Sequence, residues 1–243
     1  MKSEASKHSE QHIKLPVEVE AGDSVAADLR GFGPFGILAM LIIFLTGNIS
    51  VGNVVLPVGA VLVLLWVRLS RTPWPEIGFV RPKNWIITVF LGLVFGIALK
   101  FLMKAIVMPL LGADPINQPY HYLAGNQALL PVAIWAMIAA GFGEEIVFRG
   151  YMFERFGKLF GSGVWAKIFI VLITSLWFGL GHYFNQGFSG VEQATVTGLV
   201  FGTTFALTGR IWLVIFAHTA YDLTALAMIY WNLESDVAHL IFK

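Results

Sequence analysis

The sequence predicts an all-α fold: a polytopic transmembrane helix bundle of about seven spans. Three observations predict it. Apolar residues make up 57% of the 243 positions and charged residues only 13%, whereas a soluble domain carries about a quarter charged residues. The mean hydropathy is +0.74, and apolar stretches near the ~20 residues that cross a bilayer as helix recur along the chain. Twenty Phe and eight Trp suit helix contacts and the lipid interface.

Taken in order, residues 1–30 are polar and mixed in charge, without the apolar core of a signal peptide, and read as a mobile, uncleaved tail. Residues 31–243 read as one helix-bundle domain. Apolar stretches at 32–49, 54–69 and 85–111 come first, and those at 166–183, 191–208 and 211–231 are clearer. Between them, a helical pattern over 127–160 would be about 50 Å long at ~1.5 Å per residue. That exceeds one membrane thickness, so this helix must tilt, break near Gly141 and Gly143, or continue into water.

The 68–84 connection carries Arg68, Arg71, Arg81 and Lys83, and short loops rich in Lys and Arg tend to be cytoplasmic. The N-terminus is then cytoplasmic too, in an integral, multi-pass protein that would sit in the cell membrane of a bacterium. A net charge of +1 with no basic run gives no footing for nucleic acid as a partner; the lipid bilayer is the partner that composition requires. The oligomeric state is left open. There is no cysteine, which excludes disulfides, thiolate zinc sites and thiol proteases.

An ionisable residue costs about 2.5–3.5 kcal/mol at the centre of a spanning helix, so each one needs a partner or a task. The C-terminal half places Glu144, Glu145, Arg149, Glu154, His182, His218 and Asp222 in or beside spans, and the third span holds Lys100 and Lys104. Glu145 and Arg149 are four apart, carboxylate first, and stack on one helix face as an ion pair. Glu144 is turned about 100° away, shares its face with Phe148, and is left without that partner. Phe178 lies one turn before His182, and Asp222 one turn after His218. Counting residues from the turn near Gly161 puts Glu144 and His182 within about 6 Å in depth on antiparallel helices. Any single histidine here reads most simply as a satisfied core group. The set together reads as a functional site, because ionisable residues inside a membrane gather around function.

A carboxylate and an imidazole at one depth, with water between them, form a base pair that activates that water against a carbonyl. A second imidazole beside a hydrogen-bonding side chain, His218 with Asp222, would hold the oxyanion that forms. This describes amide hydrolysis. The same residue types, Glu144, His182 and His218, could instead hold a zinc ion whose bound water attacks, although no HExxH motif is present.

The stretches EEIVFR (Glu144, Glu145, Arg149), FGLGH (ending at His182) and HTAYD (His218 to Asp222) resemble the three motifs of the CPBP family of intramembrane proteases. This family is also called Abi, and it contains the type II CAAX prenyl endopeptidases. The loop WPEIGFVRPKNW is similar to the segment that precedes the family's helices, so the likeness covers roughly residues 74–231. The resemblance implies a glutamate-dependent endopeptidase with a buried polar cavity, acting on membrane-associated or prenylated proteins, with no cofactor required and zinc as the older reading. On that pattern Glu144 is the base and His182 its partner in holding water, Glu145 pairs with Arg149, and His218 with residue 222 stabilises the oxyanion. Family members often carry Asn where this chain has Asp222. An ionised Asp would repel an oxyanion, which leaves Asp222 to orient His218 or to act protonated. The rival reading is a non-catalytic membrane scaffold, an immunity protein or an ion or proton relay, with the same charged groups in other service.

Overall fold

The computed structural model describes residues 21–47, 50–51 and 56–242. The chain begins with α1 (Ala21–Arg30) and α2 (Pro34–Thr46). A two-residue antiparallel ladder of β1 (Ser50–Val51) with β2 (Leu56–Pro57) leads to α3 (Val58–Leu69) and, past a short 3-10 helix at Trp74–Ile77, to α4 (Trp85–Leu102). A π-helical turn, Met103–Val107, joins α4 to α5 (Met108–Leu110), and another 3-10 helix covers Gln118–Leu123. Then come α6 (Leu130–Glu145), a second π-helical turn (Ile146–Tyr151), α7 (Met152–Phe160), α8 (Val164–Gly181), α9 (Tyr183–Thr208), α10 (Ile211–Tyr230) and α11 (Glu234–Ala238).

Among the described residues, four continuous helical stretches are long and apolar enough to cross a bilayer: Trp85–Leu110, Leu130–Phe160, Val164–Gly181 and Ile211–Tyr230. The α1–α2 pair, bent by 50°, makes a fifth if taken as one span. The expected count of seven is not confirmed: by length and composition the described residues offer four or five, and the difference has physical causes. Helices α2 and α3 have 13 and 12 residues, about 20 Å each at ~1.5 Å per residue, short of the ~30 Å hydrocarbon core. Gly59 packs on Gly47 and Val147, so this hairpin reaches only about half-way along Leu130–Phe160. Helix α9 has 26 residues and breaks at Gly187, where φ is 63°. Its Glu192, Gln193, Thr195 and Thr197 make it less apolar than the four. Exposed Phe90, Leu93, Leu172 and Leu176 supply the apolar outer surface that lipid requires.

The tail expected over residues 1–30 is only in part within view. Residues 1–20 lie outside the described residues, while 21–30 form α1. Arg155 donates to the carbonyls of Arg30 at 2.9 Å and Gly31 at 3.0 Å, Arg30 pairs with Glu76 at 2.5 Å, and Asp23 pairs with Arg71. Partners distant in sequence thus hold a polar segment whose narrow apolar face, with Ala26 buried and Leu29 against the core, is too small to read as a span.

Helix α10 is wedged between α4 and α6, and α8 packs along α9. Missing side chains allow the close approach. A Cβ on Gly96 of α4 would lie 1.9 Å from the Ala217 carbonyl oxygen of α10, and one on Gly141 of α6 would lie 2.4 Å from Thr219 Oγ1. Small residues at such crossings are how helices pack closely in lipid. Of the outcomes expected for 127–160, the break near Gly141 and Gly143 does not occur; the helix runs on and shifts register just beyond them, in the π-helical turn.

Candidate active site

The second π-helical turn follows directly on Glu144 and Glu145, and α10 faces it. Glu145 is fully buried, and its Oε1 accepts from Arg149 Nη1 at 2.8 Å and from His218 Nδ1 at 2.7 Å. A carboxylate can only accept, so Nδ1 carries the imidazole proton. Arg149 also donates to the Gly198 carbonyl at 3.2 Å and lies 4.9 Å from the centre of the Phe178 ring. Charge, hydrogen bonds and an aromatic face together compensate the cost of burying this guanidinium.

The other ring nitrogen of His218 points into a cavity. Its Nε2 is 3.6 Å from Glu144 Oε2 and 3.5 Å from Asp222 Oδ2. Glu144 and Asp222 are partly accessible there, unlike buried Glu145. The cavity has a volume of about 120 Å³, and its wall includes Glu144, His182, His218 and Asp222. His182 ends α8, and its Nδ1 donates to the Phe178 carbonyl at 2.9 Å, which leaves Nε2 as an acceptor when the ring is neutral. The Phe178 ring lies between the two imidazoles, 4.7 Å from His182 and 5.9 Å from His218.

The structure thus brings all six sequence-derived residues, Glu144, Glu145, Arg149, His182, His218 and Asp222, to one place. Glu145 and Arg149 form the expected pair, and Glu144 faces away from it. One contact was not anticipated: Glu145 also holds His218. Lys100, Tyr120, Gln186 and Gln193 line the same cavity and were not read as site residues. Gln186 and Gln193 lie on either side of the break at Gly187, so their meeting is not a matter of helical spacing and carries no periodic signal. Tyr120 sits in a connection with no such signal. Burial pushes its phenol above the ordinary value, so it stays a neutral donor.

For zinc the arrangement is less apt. Among the described residues no three His, Asp or Glu side chains form a group able to hold a metal ion. As they stand, Glu144, His182 and His218 do not fit the ion.

Residues 126–224 match the family model described as type II CAAX prenyl endopeptidase Rce1-like. No curated protein and no solved structure matches the chain. The matched segment covers less than half of the chain but contains all six site residues, and over that segment this integral membrane protein is similar to the type II CAAX prenyl endopeptidases.

Proposed function

We propose that the chain is an intramembrane endopeptidase in which Glu144 activates water against a peptide bond of a membrane-associated protein. The observation that carries this reading is the placement of Glu144: it is free of Arg149, on the cavity wall, with an imidazole nitrogen 3.6 Å from its Oε2. Glu144 takes a proton from water as the oxygen attacks the carbonyl carbon, with His182 Nε2 accepting from the same water to hold it. His218, doubly protonated with Nδ1 on Glu145, offers its Nε2–H to the oxyanion. Asp222 keeps the His218 ring turned towards the cavity. When the carbon–nitrogen bond breaks, Glu144 returns its proton to the leaving amine. Each protein group ends as it began, so no cofactor is consumed and none is needed.

A relay for ions or protons would need a path through the molecule. Beside the site Phe148, Tyr151, Phe178 and Phe201 are buried, and such aromatic packing is a poor path for ions compared with a chain of ionisable groups. A bilayer crossing by α9 beside α8 would add a span to those counted by length and apolarity, and the N-terminal segment and basic loops are assigned to the cytoplasmic side. The prenyl group of a CAAX substrate finds no dedicated contact in this reading. Whether a lipidated end or a plain peptide is cut is a matter for the same experiment.

Glu144→Gln preserves size and removes the base, and we expect it to lower cleavage by about 10²–10⁴-fold while the protein still inserts and folds. Comparing the membrane proteomes of a Glu144→Gln strain and its parent would show the uncleaved substrates. A variant that cleaves normally would sink the mechanism.

A further inference from the structure

The charges are divided between the two ends of the bundle. At one end, Lys158 donates to the Arg30 carbonyl at 3.1 Å and the Ile211 amide to the Gly78 carbonyl at 3.0 Å. These contacts gather the 70–84 connection, the end of α7 and the start of α10. Arg71, Arg81, Lys83, Lys158 and Arg210 lie on these segments, and Lys167 lies in the first turn of α8, just past the turn that ends α7. At the other end, the Gly125 amide donates to the Tyr230 carbonyl at 3.0 Å and the Asn117 amide to Glu234 at 3.1 Å. The segments there, 111–129, 182–192 and 231–243, contain Asp114, Glu192, Glu234 and Asp236, and the terminal Lys243 is their only Lys or Arg. Lys and Arg in short loops mark the cytoplasmic side, so the basic end is cytoplasmic and the acidic end faces out.

The cavity has a direction as well. From Glu144 and His218 it runs past Asp222 and Ala225 to Leu123 and Ile229, towards the acidic end. There it adjoins a second chamber of about 220 Å³ that includes Asp114, Gln118 and Glu234, and the two share Lys100, Asn117, Gln186 and Gln193. Towards the basic end, past Glu144 on the same helix, Phe148 and Tyr151 are fully buried. Amide side chains offer both donors and acceptors, the complement of an extended peptide backbone, and apolar ones such as Leu123, Met137, Met108 and Met228 between them suit a peptide's side chains.

We propose that the site is entered from the extracytoplasmic side and receives an extended peptide segment presented there, gripped along its backbone by Asn117, Gln118, Gln186 and Gln193. What happens to that segment rests on the endopeptidase reading; the side of entry does not. The substrates are then outward-facing tails or loops of membrane-anchored proteins, and prenylated ends in the cytoplasm are out of reach.

The absence of cysteine makes the test clean. Gln118→Cys, Gln186→Cys and Ser162→Cys, each alone, are exposed to a membrane-impermeant sulfonated maleimide in right-side-out and inside-out vesicles. We expect Gln118→Cys and Gln186→Cys to react in right-side-out vesicles and Ser162→Cys only in inside-out ones. The reverse pattern overturns the proposal, and so does a Gln186→Cys that reacts from inside-out vesicles or from neither. This result is independent of activity, so it stands or falls separately from Glu144. In the Glu144→Gln proteome, the retained segments should lie on the outer side; retained cytoplasmic ends would overturn the substrate class.

Discussion

Arg149→Met tests whether the Glu145–Arg149 pair is the brace of the site. Arg149 and Glu145 are 1% and 0% exposed, and the guanidinium donates at 2.8 Å to the carboxylate and at 3.2 Å to the Gly198 carbonyl on α9. Methionine fills much of the volume but leaves a buried carboxylate with His218 alone. Removing one member of a buried pair costs about 3–5 kcal/mol in water-soluble proteins. In membranes the unfolded chain finds other partners, and measured pair couplings average ~0.6 and reach ~1.7 kcal/mol. We therefore expect Arg149→Met to lose about 2–4 kcal/mol, and the cycle with Glu145→Gln to return a coupling of ~1–2 kcal/mol. Titration of the purified protein from mild detergent into SDS, followed by tryptophan fluorescence, reads both. A variant within ~0.5 kcal/mol of the parent, or a double variant equal to the sum of its singles, would refute the brace.

Gly96→Ala should cost about 1–3 kcal/mol in the same titration, because its methyl group meets the α10 backbone. Gly157→Ala, with nothing within 4 Å of the added carbon in the interior of α7, should gain about 0.5–1 kcal/mol; equal effects would contradict the packing. Asp222→Asn keeps an acceptor for His218 Nε2 and should hold cleavage within about tenfold, ~1.4 kcal/mol of barrier, with a larger loss pointing to charge at 222 as essential. Thorough chelation should leave activity intact with no stoichiometric zinc by elemental analysis, whereas activity restored only by added metal would reverse the metal-free reading.

What could be seen in the sequence was what is local. Glu145 and Arg149 meet because helical spacing alone stacks residues four apart. Glu144 and His182 share a cavity because two helices joined by a short turn can be counted to equal depth. Apolar composition could not say where helices stop. The stretches at 32–49 and 54–69 are greasy enough for spans, yet α2 and α3 have 13 and 12 residues and fold back on each other. Residues 21–30 looked like tail because Arg71, Glu76 and Arg155, which hold them, lie far along the chain. The His218–Glu145 bond spans 73 residues and depends on α10 sitting close to both α4 and α6, which is decided by glycines opposite backbone.

The π-helical turn at Ile146–Tyr151 is the feature with no sequence signal, since neither proline nor an adjacent glycine pair marks it. An α-helix rotates about 100° per residue, and a π turn admits one residue more than the α ladder would. The long helix Leu130–Phe160 has two demands on its orientation. Its upper half must turn Glu144 to the cavity and Glu145 to α10. Its lower half must set Arg155 on the carbonyls of Arg30 and Gly31 and 4.5 Å from the Trp66 ring. The extra residue lets the two halves meet these demands separately. The site and the anchor of the N-terminal helices are thereby joined through one helix, and the residues that make the joint are those that follow the paired glutamates.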